Sequence, residues 1–144
     1  MEQVIVGIII ICFAILLLLL IYRLISLKRS YGQKEKLLVD YFSNFYGVSS
    51  KGIKQIRGNG ILFLSSDSLN FEMYIPRRKY TISINMITEI SKANEHLGKM
   101  GVSLLRIKFK EGNHYEEAAW AVNHVEKWIN ELSILREKQI VNLK

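Results

Sequence analysis

The sequence predicts a membrane-spanning N-terminal α-helix followed by one α+β domain, in which about seven antiparallel strands form sheets or a partly open barrel capped by a C-terminal α-helix. Three observations carry this expectation. The chain opens on 20 residues, 3–22, without a charged side chain. Its middle alternates apolar and polar residues with the period of a strand. Its last stretch returns to apolar spacings of three and four, the period of an amphipathic helix.

The opening run contains fifteen Val, Ile, Leu or Phe side chains, and a helix of that length covers about 30 Å of hydrocarbon. Residues 1–27 are therefore read as a transmembrane helix. A cleaved signal would need a basic start, a shorter apolar core and small residues at the cleavage point, and this run has none of them. The single cysteine, Cys12, lies inside the run, so no disulfide framework is expected. Before the uncharged run 3–22 stands only Glu2, and after it come Arg23, Lys28 and Arg29. The positive-inside rule then places the N-terminus outside and the C-terminal domain in the cytoplasm. About 115 residues remain, enough for one core and too few for two.

Residues 28–51 read as a basic juxtamembrane linker that contains a short amphipathic helix, because Leu37, Leu38, Tyr41, Phe42 and Phe45 recur at helical spacing. The cytoplasmic domain is then expected over residues 52–144. Residues 61–65 form one strand, and Leu69, Phe71, Met73 and Ile75 alternate with Ser68, Asn70, Glu72 and Tyr74 in the next, with Ser66 and Asp67 as the turn. Pro76 ends that strand. Tyr80, Ile82 and Ile84 mark a third strand, residues 87–90 a fourth, and Leu105, Ile107 and Phe109 a fifth, after a loop over 91–101. Residues 53–57 and 114–117 are further candidates, which sets the count between five and seven. From about Ala118 to Glu137 the helical spacing returns, with Val122, Val125, Trp128, Ile129, Leu132 and Leu135 on one face. Short connections throughout favour an antiparallel meander or barrel over βα units.

Catalytic and metal signatures are missing. His96, His114 and His124 do not stand at metal-ligand spacings, and neither HExxH nor CxxC occurs. Gly98-Lys99 and Gly58-Asn59-Gly60 lack the remaining positions of phosphate and dinucleotide loops. Glu116 and Glu117 are read as acidic residues in the first turn of the last helix. No enzyme, cofactor or metal site is expected. The row Arg106, Lys108 and Lys110 lacks interleaved exposed aromatics, so nucleic acid is not an expected partner. The remaining basic features are Arg77, Arg78 and Lys79 in one turn after Pro76, with Arg57 nearby, and the juxtamembrane Arg23, Lys28 and Arg29. Three like charges in a turn attract lipid phosphates or acidic protein surfaces. Basic residues at strand ends also protect sheet edges.

This order of elements resembles the pleckstrin-homology (PH) superfold. GNGILFLSSDSLNFEMYI (residues 58–75) resembles the opening hairpin of GRAM-type members, and WAVNHVEKWINEL (residues 120–132) is similar to their capping helix. The resemblance implies a non-catalytic binding module, used for anionic lipids such as phosphoinositides or for protein partners. Lipid-binding members carry basic residues around a long first hairpin loop, which this reading reduces to Gly58, Asn59 and Gly60 beside Arg57. The expected function is thus a single-pass, membrane-anchored adaptor that engages a protein partner at the cytoplasmic membrane face. The alternative is an anionic-lipid sensor or lipid-transport module that uses the basic turn.

Overall fold

The computed structural model describes residues 1–32 and 37–142. The chain divides into two compact units, Met1–Lys34 and Glu35–Lys144. The first is helix α1 (Glu2–Gly32), and its segment Glu2–Leu27 is long and apolar enough to cross a membrane.

Among the described residues the second unit holds seven strands and one long helix. In chain order these are β1 (Leu38–Val48), β2 (Gly58–Leu64), β3 (Ser68–Met73), β4 (Lys79–Ser83), β5 (Ile87–His96), β6 (Lys99–Glu111), β7 (His114–Ala121) and α2 (Val125–Asn142). Every strand pair is antiparallel. The strand order is β4-β3-β2-β1-β7-β6-β5, so the sheet is open, with β1 at its centre.

The central position of β1 corrects the expected juxtamembrane helix. Residues 33–36 of that expected helix lie outside the described residues, but Leu38–Val48 is a strand. The reason is local. β1 carries one register shift between Asp40 and Ser43 against β2, and another between Phe45 and Gly47 against β7. Each bulge inserts an unpaired residue and rotates the strand beyond it, so the core side chains fall at Leu38, Phe45 and Val48. Two bulges thus convert a period of two into spacings that imitate a helix. The folded domain accordingly begins before position 52.

Four other expectations change. Residues 53–57 are not a strand. The loop expected over 91–101 is the end of a long β5–β6 hairpin, whose turn places Leu97 and Gly98 at positive φ, as two-residue hairpin turns of the primed type require. Residues 118–121 belong to β7, and α2 begins only at Val125. Glu116 and Glu117 consequently lie on a strand and not in a helix turn. The alanines at 118, 119 and 121 hid this strand, because they carry little apolar contrast between its two faces.

The core is formed by the concave face of the sheet and one side of α2. Phe45 packs its ring against Phe71 at 5.3 Å, Tyr80 at 4.5 Å and Trp120 at 5.5 Å between centroids. Trp128 and Leu132 of α2 enter the same cluster. Asp40, buried at the first bulge, fastens α2 to the sheet: its carboxylate accepts the Asn123 backbone N–H at 2.6 Å and the Phe42 N–H at 2.9 Å. Gly60 is needed where β2 pairs with β3, because a Cβ there would collide with the Glu72 carbonyl and stand 2.6 Å from the Phe71 ring.

Leu132 is fully buried, so Leu132→Ala should cost about 2–5 kcal/mol. Urea unfolding of the full chain in micelles, followed by tryptophan fluorescence, measures this; a loss under about 0.5 kcal/mol is what a surface position would give.

Candidate functional site

One end of the domain collects the connections β1–β2 (49–57), β3–β4 (74–78) and β6–β7 (112–113). Antiparallel order puts these turns at the same end, and contacts bring them together. The Tyr74 N–H donates to the Asn59 carbonyl at 3.0 Å. The Lys51 ammonium lies 5.0 Å from the centre of the Tyr80 ring, within cation–π range.

The β1–β2 connection is the true first hairpin loop, and it corrects the assignment of Gly58, Asn59 and Gly60 to that role. Residues 58–75 make the second hairpin of the sheet, because the first strand is β1. The real loop is nine residues long and carries Lys51, Lys54 and Arg57. Its own side chains brace it. Gln55 accepts the Val48 N–H at 2.7 Å and donates to the Val48 and Gly52 carbonyls. Gly47, at φ +119°, leaves the space this amide occupies, since a Cβ there would stand 2.6 Å from it.

Glu116 holds the start of the loop from the β7 side. Its carboxylate accepts the Ser49 hydroxyl at 2.8 Å and the Ser50 N–H at 3.0 Å. Burial pushes its pKa up, but these hydrogen bonds to Ser49 and Ser50, with His114 nearby, outweigh it, and the group lies below its ordinary 4.5. The tip of the β5–β6 hairpin closes over the other side. Buried His96 places Nε2 3.1 Å from the Gly47 carbonyl, and Arg57 donates to the Leu97 carbonyl at 3.2 Å. Desolvation lowers the His96 pKa below its ordinary 6.5, and Arg57 and Arg106 add to that effect against Gly47 and Glu117.

The basic turn at 77–79 is partly neutralised. Glu72, 1% exposed, is paired with Arg77 at 3.3 Å and with Lys79 at 3.4 Å. Among the described residues Arg78 makes no ion pair. Alternation along β3 puts Glu72 on a face away from the core, but the cross-strand register Glu72↔Lys79 is not readable without the pairing. Of the other expected basic residues, Arg23, Lys28 and Arg29 lie in the last turns of α1. Arg106 donates to the Ser91 hydroxyl, Lys108 pairs with Glu117 at 3.5 Å, and Lys110 is exposed.

Between these turns lies a cleft of about 100 Å³, reached from Lys51, Tyr80 and Glu111 and floored by Trp120 and Phe109. Enclosed small-molecule sites run to about 300–1,000 Å³. This end can therefore offer charge and surface, but not a cavity that swallows a ligand. Among the described residues no group of three His, Cys, Asp or Glu side chains is arranged to hold a metal ion.

The chain matches no known family by sequence, and no curated protein resembles it closely enough to register. Solved structures do resemble its fold. The Vps36 N-terminal PH domain superposes with a TM-score of 0.56 at 12% identity, covering 76% of this chain and 84% of that one. The C-terminal domain of an unknown protein from Leishmania infantum superposes with a TM-score of 0.55 at 14% identity, covering 77% and 94%. The fold is PH-like: an open antiparallel sheet closed by a C-terminal helix, in a chain that begins with an apolar helix.

His96 and Glu116 both make the domain acid-sensitive. Each has a folded pKa below its unfolded one, so the unfolded chain binds more protons and stability rises with pH. The His96 contribution is complete above 6.5 and declines as pH falls below it; that of Glu116 is complete above 4.5 and declines below it. His96→Gln keeps a donor for the Gly47 carbonyl without titrating. It should flatten the first decline and leave the second, as read from urea midpoints against pH.

Proposed function

We propose that this chain is a non-catalytic, single-pass membrane protein whose PH-like domain binds an anionic surface through its β1–β2 and β3–β4 turns, with the anionic lipid of a membrane as the ligand. The observation that carries the reading is the nine-residue first loop, which sets Lys51, Lys54 and Arg57 at the same end as Arg77, Arg78 and Lys79. A second, buried carboxylate on this end, Glu116, is spent on the loop backbone, and Glu72 offsets only part of the charge. The surplus attracts lipid phosphates at about 1 kcal/mol per basic residue near the surface.

Anchoring by α1 supports weak binding as sufficient. A tethered domain meets its own bilayer at high effective concentration, so a few kcal/mol changes the docked fraction greatly. The bias of Arg23, Lys28 and Arg29 after the span favours a cytoplasmic domain with the N-terminus outside. The sequence alone favours a protein partner, with lipid second. The reassigned loop supports the reverse order, because it supplies the long basic first hairpin that the GRAM-like reading of residues 58–75 lacks.

The test uses the full chain in nanodiscs, with energy transfer from Trp120 and Trp128 to dansyl headgroups. Transfer should rise when phosphatidylglycerol replaces part of the phosphatidylcholine and fall with salt. Lys51→Ala, Lys54→Ala and Arg78→Ala together should lower it, whereas Lys138→Ala, on α2 beside Gln139 that bonds Ser66 of the β2–β3 turn, should not. Transfer indifferent to lipid charge and to these substitutions would sink the lipid reading in favour of a protein partner.

A further inference from the structure

The same turns that carry the cations also expose isoleucine. Ile53 is 71% exposed and Ile56 42% exposed in the β1–β2 connection, and Ile75 is 60% exposed in the β3–β4 turn. Tyr115, at the start of β7 beside the β6–β7 turn, is 62% exposed. The turns are held near one another: the Ile75 carbonyl lies 3.8 Å from where a Cβ on Gly58 would stand, and Gly58 follows Arg57 directly. Each isoleucine has basic neighbours, Lys51 and Lys54 about Ile53, Arg57 beside Ile56, and Arg77 and Arg78 after Ile75.

We infer that Ile53, Ile56 and Ile75 form an apolar wedge that enters the interfacial layer of the bilayer holding α1, while the surrounding lysines and arginines bind its phosphates. The inference rests on the anionic-lipid reading above and adds a second, salt-resistant term to it. Two physical arguments support a bilayer over a protein as the occupant. The core of a protein interface is apolar and depleted of charge, with its polar residues at the rim. Here charge and isoleucine alternate along the chain, which is the composition of surfaces that sit at the headgroup boundary, where long basic side chains reach phosphate and aliphatic ones reach acyl chains. The backbone beneath the wedge is also stiff. Gln55 ties residue 55 to Val48 and Gly52, and Glu116 ties down Ser49 and Ser50, so the isoleucines are presented without a large further ordering cost on insertion.

Membrane contact through charge alone and contact with insertion differ in measurable ways. The full chain carrying Cys12→Ser and Ile53→Cys, labelled at position 53 with an environment-sensitive nitrobenzoxadiazole dye, is reconstituted in nanodiscs of phosphatidylcholine and phosphatidylglycerol. Dye emission and its quenching by nitroxide-bearing lipids read insertion, and tryptophan-to-dansyl transfer reads approach. The expected result is a blue-shifted emission, quenched by shallow nitroxides and retained at high salt. In a chain labelled instead at Asn94→Cys, exposed on the edge strand β5, the dye should stay in water. Replacing Ile56 and Ile75 by serine in the position-53 chain should lower the docked-to-undocked ratio about tenfold.

Normal, salt-sensitive transfer with an aqueous, unquenched dye at position 53 would overturn the wedge and leave the electrostatic reading standing. Absence of both transfer and quenching would overturn the two together. Circular dichroism of each variant establishes that the domain is folded.

Discussion

Phe45 is the contact on which the rest of the domain depends. It sits on the central strand, fully buried, and touches rings from β3, β4 and β7. The β2–β4 half of the sheet is hydrogen-bonded to the β5–β7 half through β1, and Phe45, pointing inward from that strand, packs against rings from both halves. Two bulges in eleven residues turn it that way. The first of them also buries Asp40, whose carboxylate then supplies an anchor for the backbone leading into α2. Sheet curvature, helix attachment and aromatic packing thus follow from one irregular strand.

The open end inherits its character from that arrangement. With α2 occupying the concave face together with the aromatic cluster, the opposite mouth narrows to a small cleft. The exposed side chains at this end belong to the rim. The rim is built from turns, which would ordinarily be the mobile part of such a domain, yet side chains from fixed strands hold them. Glu116 of β7 bonds Ser49 and Ser50, and His96 of β5 meets Gly47. Positioned turns lose less freedom on binding, which matters most for weak contacts whose surplus energy is small.

Charge at this end is better described by pairs than by counts. The run Arg77, Arg78, Lys79 looks in the sequence like three free cations. Glu72 has two of them as partners, and the buried carboxylate gains from both. A buried acid without such partners would be strongly disfavoured, so these two residues serve β3 as much as any ligand. Of the cations of the β1–β2 loop, Lys51 and Lys54 are exposed, with Lys51 resting over Tyr80, whereas Arg57 is half-buried and donates to the Leu97 carbonyl. The exposed cations at this end without an ion-pair partner among the described residues are therefore Lys51, Lys54 and Arg78.

The sequence by itself determined the apolar N-terminal helix, the β2–β3 hairpin, the β4 and β6 strands, the turn after Pro76 and the helix through Trp128 and Leu132. Each of these has one apolar face of regular period, and regular period is a local property. It determined the class of fold as well, since short connections between alternating segments leave few topologies. Tertiary structure alone decided β1, the strand character of 118–121, the full length of the β5–β6 hairpin and the identity of the first loop. Bulges scramble periodicity, alanines do not display it, and an edge hairpin that folds onto its own domain is stabilised by partners far away in the chain. The candidate site divides along the same line. Arg57, Arg77, Arg78 and Lys79 were visible as charges, but Lys51, Lys54 and the isoleucines beside them became a surface only when β1 took the centre of the sheet, because proximity between turns is set by strand order and not by sequence spacing.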